Sequence, residues 1–203
     1  MERNELKKIF GAIFEEFIEL NRLLKFGQSL FLYRKNEEVK EGVEKAFKII
    51  KQEFPLRLHN VLFYLIGELT DNISQHSHCL SGVLVLSFDK KSGVGEIVVV
   101  DDGVSIPGAF EKRKIGFKDD LDSVEMAISG KSTKKEKGRG FGLSSSRRLV
   151  EEGLKGDFMV VSGKGVYRIK GKSSLLSKPF CGTLVYVRFE DSAKGLNIYE
   201  YLE

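Results

Sequence analysis

A chain of 203 residues, 41% hydrophobic and 31% charged, has the make-up of one well-cored globular domain and excludes a disordered or low-complexity chain. Its net charge of +4 is mild, and the basic residues gather in "GKSTKKEKGR" rather than along a stripe, which argues against a nucleic-acid surface and for a local anion site. No apolar run approaches the ~18 residues of a membrane span and "MERNELKK" lacks the apolar core of a signal peptide, so a cytoplasmic protein with neither a membrane nor a nucleic-acid partner is expected.

In chain order, residues 5–25 place Leu6, Ile9, Phe10, Ile13, Phe14, Phe17, Ile18 and Leu20 at helical spacing on a charged helix. This N-terminal helical extension (1–27) either packs on its own domain or forms a homodimer interface. "GQSLFLYRKN" alternates and predicts a strand over Ser29–Arg34, and residues 37–53 make a second amphipathic helix stopped by Pro55. A third helix, "LHNVLFYLIGELTDNISQHS", has Leu62, Ile66, Leu69 and Ile73 as its buried stripe. Strands "GVLVLSFD" and "GEIVVVDD" follow, joined through "KKSG" as a hairpin. "IPGAFEKRK" and "DDLDSVEMAISG" predict short helices, and helix "LSSSRRLVEEG" leads to strands "GDFMVVSG", "GVYRIKG" and "GTLVYVRFE". Grouped helices with a mostly antiparallel sheet indicate an α+β, two-layer α/β sandwich. Cys79 and Cys181, without CxxC or Cys/His spacing, support neither a disulfide framework nor a zinc site, and both are expected as core thiols.

Gly138, Gly140 and Gly142 stand at alternate positions directly before a helix, where backbone N–H groups can close around an anion at the helix's positive end. A flexible loop with a helix cap would use the same glycines. The familiar phosphate motifs fail: Gly130-Lys131-Ser132 and Gly171-Lys172-Ser173 lack the glycine five positions upstream, where Glu125 and Val166 stand, so this is not a P-loop. GxGxG after a basic loop is not a Rossmann fingerprint either.

Two further polar groupings stand out. Glu68 and Asn72 are four apart on the third helix, opposite the apolar stripe; carboxylate and amide oxygens so placed suit Mg²⁺ and its water, although a solvated helix face looks the same. Asp101-Asp102-Gly103 ends a strand, where a carboxylate can accept from a ligand amine, although Asp-Asp-Gly is also a common turn.

Taken in order, "ELTDNISQH", "DDGVSIPG", "KGRGFGL" and "CGTLVYVRF" resemble the four boxes of the GHKL ATPase superfamily, which includes gyrase, the heat-shock chaperone, mismatch-repair ATPases and histidine kinases. The resemblance covers roughly residues 28–190. The ExxxNxxxH spacing of Glu68, Asn72 and His76 looks most like the stand-alone anti-sigma-factor serine kinases. It implies the Bergerat ATP-binding fold over 28–192, followed by a tail, 193–203.

By this resemblance, ATP and Mg²⁺ are the expected ligands. Asn72 would coordinate Mg²⁺, and Glu68 would orient or deprotonate the attacking water or protein hydroxyl. Asp101 would accept the adenine amino hydrogen, and Gly103 would let the backbone pass under the base. Gly138, Gly140, Phe141 and Gly142 would end a mobile lid around the phosphates, which the N–H groups near Leu143 cap. Lys134, Lys137 and Arg139 are candidates for neutralising the γ-phosphate, and Thr183 would support the adenine pocket through its hydroxyl. Ser105 stands where the family's box has its second glycine, and Asp102 where many relatives carry asparagine. His76 matches a family position and equally suits a structural histidine.

His59, His76 and His78 are the only histidines, none lies in the first helix, and His59 has no acidic H-box neighbour, so histidine autophosphorylation is not expected. About ten residues follow the last predicted strand, so no transducer domain of the gyrase or chaperone type is expected within them. Two readings remain. One is a regulatory serine/threonine kinase or slow ATPase acting on a protein partner, a STAS-like or sigma-factor-like regulator. The other is an ATP-dependent interaction switch with little turnover.

Overall fold

The periodicity of "VLFYLIGEL" gives a helix because apolar side chains three and four apart share one face, and each fully buried Leu or Ile contributes about 1.5–3 kcal/mol. In the computed structural model, which describes residues 29–33, 36–72, 82–130, 142–191 and 196–201, Leu62, Ile66 and Leu69 are indeed buried. The elements run β1 (Ser29–Tyr33), α1 (Asn36–Glu53), a 3₁₀ turn (Leu56–Leu58), α2 (His59–Asn72), β2 (Gly82–Asp89), β3 (Val94–Asp101), α3 (Ile106–Lys112), α4 (Asp120–Ile128), α5 (Gly142–Arg148), a wide π turn (Leu149–Gly153), β4 (Asp157–Arg168) and β5 (Ser174–Glu190). The predicted helix over 5–25, and residues 73–77 of the third helix with Ile73 and His76, lie outside the described residues.

The five strands form one antiparallel sheet in the order β1-β2-β3-β5-β4. Alternation along the strands divides their side chains between two faces. Leu84, Leu86, Ile97, Val99, Phe158, Val160, Val185, Val187 and Phe189 meet the apolar sides of α1, α2, α4 and the π turn in the main core. Val83, Val85, Val98, Val100, Met159, Val161, Leu184 and Tyr186 form a second buried cluster, made of strand side chains alone, on the other face. Glu96 is buried with it and accepts the Tyr186 hydroxyl at 2.7 Å. This is the two-layer α+β sandwich with an antiparallel sheet. No described helix is long and apolar enough to cross a membrane.

Three expectations change. "GDFMVVSG" and "GVYRIKG" are one strand, β4, because Gly163 at φ +58 is a bulge within the strand and not a turn. The bulge lets α3 and α4 lie close, since a Cβ at Gly163 would stand 2.7 Å from Pro107 Cγ of α3 and 2.6 Å from Asp120 Oδ2 of α4. β5 begins at Ser174, earlier than the predicted strand, and Pro179 fits because the paired register jumps from Leu175 to Phe180 and asks no ladder N–H of it. Cys181 is exposed, not a core thiol: it separates Phe180, packed in the second cluster, from Gly182, whose φ of +100 breaks the strand's alternation. Cys79 lies outside the described residues.

Candidate functional site

α2 is buried over a wide arc, Val61 and Leu65 included, so Glu68 and Asn72 flank apolar positions and do not occupy a solvent-facing side. The element they meet is α5. A Cβ on Gly142 would collide with Glu68 Oε2 and lie 3.7 Å from Asn72 Nδ2, so the first residue of α5 sits directly against both side chains, and any larger residue there would displace the Glu68 carboxylate. One turn earlier on α2, Tyr64 hydrogen-bonds to Ser145 of α5. Burial raises the Tyr64 hydroxyl above its ordinary range, the Ser145 bond opposes this, and the Glu68 charge adds to it. Tyr64, Glu68 and Asn72 thus form one i, i+4, i+8 row facing α5.

Glu68 is half-buried, and Asn72 leaves its Nδ2 buried without a hydrogen-bond partner. Because no described residue holds that amide nitrogen, a turn of the amide can present its oxygen instead without breaking a bond at Nδ2. An amide oxygen beside a carboxylate is a hard-oxygen donor set, which fits Mg²⁺.

The second grouping lies at the end of β3 and beside it within β5 and β4. Asp101 pairs in register with Thr183, and Thr183 with Ser162, so three neighbouring strands carry Asp101, Thr183 and Ser162 in one lateral row on the helix-facing side. Asp101 is buried, with Oδ1 accepting the Gly103 N–H at 2.9 Å. Desolvation pushes its carboxyl up to about 7; the Gly103 and Thr183 backbone bonds pull the other way, and the Asp102 charge reinforces the rise. The chain comes so close here that a Cβ on Gly182 would collide with the Asp101 carbonyl oxygen and stand 2.7 Å from its carbon.

Ser105, in the position of the missing glycine, caps α3. Its Oγ accepts the Gly108 N–H at 3.2 Å, ahead of Pro107 in the first turn. The substitution therefore fixes the start of α3. Ser162 went unnoticed in the sequence. It is fully buried, and its Oγ contacts Ile106 N at 2.8 Å, Gly182 O at 2.8 Å and Thr183 Oγ1 at 3.1 Å. The one sequence signal is a serine ending the apolar run "FMVV".

The structure therefore brings Glu68, Asn72 and Gly142 together, with Leu143 next along α5, and separately groups Asp101, Gly103 and Thr183. Lys134, Lys137, Gly138, Arg139, Gly140 and Phe141 lie outside the described residues. A buried carboxylate with an acceptor-rich surround suits a ligand amino group, and hard oxygen donors under a helix start suit a divalent cation of the kind that accompanies a phosphate chain.

Residues 59–193 match the family described as histidine kinase-, DNA gyrase B-, and HSP90-like ATPase. Among solved structures, the chain is similar to the histidine kinase domain from the Erythrobacter litoralis EL346 blue-light activated histidine kinase. That pair is 17% identical with a TM-score of 0.39, over 84% of this chain and 69% of that one. No curated protein matches.

Proposed function

Because the chain belongs to the family of histidine kinase-, DNA gyrase B- and HSP90-like ATPases, and so carries an ATP-binding domain of the GHKL type, we propose that it is a regulatory serine/threonine kinase or slow ATPase using Mg-ATP on a protein partner. The family match begins at residue 59, yet β1 pairs with β2 and α1 contributes Val39, Ala46 and Ile50 to the main core, so the working unit we assign is 28–192.

In this reading Asp101 accepts the adenine amino hydrogen, Gly103 keeps the backbone under the base, and Thr183 lines the same pocket. Asn72 and the start of α5 serve the phosphate end, with Lys134, Arg139 and the glycines 138, 140 and 142 closing over it. Mg²⁺, when bound at Asn72, would supply charge neutralisation to the triphosphate. Glu68 orients the attacking hydroxyl or water and accepts its proton. The observation that supports turnover over mere binding is the setting of Glu68. Half-buried and pressed against Gly142, it is held where a proton acceptor is useful and a solvated surface charge would not be. The partner is proposed from the ExxxNxxxH layout alone: a small STAS-like or sigma-factor-like protein with a serine or threonine acceptor.

Glu68→Gln keeps the shape and removes the base. ATP turnover, with or without a partner, is expected to fall 10²–10⁴-fold while ATP affinity stays within about threefold. Turnover in Glu68→Gln equal to the wild type's would remove the general-base role. A wild type that binds ATP and changes its partner affinity without hydrolysis or phosphotransfer would establish the interaction switch instead.

A further inference from the structure

The hydroxyl of Ser162 has one proton and two acceptor positions, and its three neighbours decide how they are used. Ile106 N–H can only donate, at 2.8 Å. The Gly182 carbonyl can only accept, also at 2.8 Å, so it receives the single Ser162 proton. The remaining contact, 3.1 Å to Thr183 Oγ1, must then be donated by Thr183. Thr183 has no second proton to offer. Its half-buried oxygen presents lone pairs only, one strand away from Asp101, which as a carboxylate is also an acceptor.

The geometry points to Ser162 as a specificity-determining residue: by consuming the Thr183 proton, it makes the base-facing end of the Asp101–Thr183–Ser162 row acceptor-only, and so selects 6-amino over 6-oxo purine nucleotides. The inference rests on the nucleotide reading above and adds to it the residue that sets the polarity of the pocket. Ser162 touches no ligand in this scheme. It positions a proton on its neighbour. A 6-amino group offers two N–H donors to an acceptor edge, whereas a 6-oxo purine offers one donor, N1–H, and sets its oxygen as a third acceptor against the two, which a free Thr183 hydroxyl would relieve and a committed one does not.

The test is binding of ATP and of inosine triphosphate, measured by calorimetry at pH 8, to the wild type, Ser162→Ala, Thr183→Val and the double variant. Inosine triphosphate differs from ATP in the 6-oxo group and the N1–H that accompanies it, and lacks the extra amino group of GTP. The wild type is expected to favour ATP at least tenfold, and Ser162→Ala to narrow that ratio at least fivefold, chiefly by tighter binding of inosine triphosphate. In the Thr183→Val background the Ser162 change is expected to leave the ratio within twofold, since there is no proton to release. Equal loss of both nucleotides in Ser162→Ala, or a ratio change that persists without Thr183, overturns the inference and leaves Ser162 as a structural bond. Should Ser162→Ala fail to fold, Ser162→Cys keeps the volume with a weaker acceptor, and an unchanged ratio there has the same meaning. A wild type that binds neither nucleotide overturns the nucleotide reading itself, an outcome distinct from binding without discrimination.

Discussion

Asp101→Asn is expected to do two opposite things: stabilise the free protein at pH 8 and abolish its stabilisation by ATP. The carboxyl sits at about 7 in the folded chain, against an ordinary value of 3.8, mainly through burial. Its contribution to folding is therefore fully present below pH 3.8 and is lost as pH rises through 7. The difference corresponds to at most about 4 kcal/mol at pH 8, and about half of that is expected after relaxation. Asparagine never ionises, and its amide oxygen can still accept from Gly103, so the penalty is removed. At about 2–4 °C per kcal/mol for a chain of this size, the melting temperature at pH 8 should rise by several degrees, and the gap between variant and wild type should close towards pH 5. ATP at 100 times its Kd should stabilise the wild type by about 2.7 kcal/mol, whereas the asparagine amide can offer a donor to the base's amino group and disrupt the match. Two thermal scans, each with and without Mg-ATP at pH 8 and pH 5, measure both effects. An ATP shift that survives in Asp101→Asn would remove this residue from the nucleotide site. A melting temperature for the free variant at or below the wild type's at pH 8 would show that Asp101 is not carrying a desolvation penalty.

Gly182→Ala is expected to be the most damaging single methyl in the described chain. Its Cβ would strike the carbonyl of Asp101 and stand 3.0 Å from Asp102 Cα, both of them backbone, and the residue's φ of +100 already excludes side chains. Neither β3 nor β5 can give way alone, because they pair in continuous register from Val94–Glu190 to Asp101–Thr183. The loss should exceed about 4 kcal/mol, a large share of the 5–15 kcal/mol by which domains are stable. Poor soluble yield, or a urea midpoint far below the wild type's, is the expected result. Gly67→Ala is the matched control: it lies inside α2 with no described atom outside its own helix turn within 4 Å of the added methyl, and it should stabilise the chain by about 0.5–1 kcal/mol. A Gly182→Ala protein with wild-type stability would mean that the two strands are not in this contact.

What the sequence revealed was what depends on neighbours along the chain. α2 and the β2–β3 hairpin follow from apolar spacing and from "KKSG", where Gly93 takes a positive φ and Asp89 accepts from Lys91 and Ser92. The pairing of Glu68 with Asn72 is a matter of helical period. Their surroundings were misplaced, because only the packing of α5 decides that the pair faces another helix. Ser105 looked like a lost glycine, although serine just before Ile-Pro already carries the signal of a helix cap. Gly163 looked like a turn because glycine marks turns and bulges alike, and only the partner strand distinguishes them. Ser162 and Tyr64 were illegible for a stronger reason. Ser162 finds its partners 20–21 residues on in β5 and 56 residues back at Ile106, Tyr64 finds its own on a helix far along the chain, and no local pattern encodes that alignment.

Cys181, exposed and one residue before Gly182, has a use in chemistry that the chain itself does not perform. A thiol two residues from Thr183 on β5 is an attachment point for an environment-sensitive dye, which would test in real time, without a coupled assay, whether nucleotide changes the surroundings of that strand.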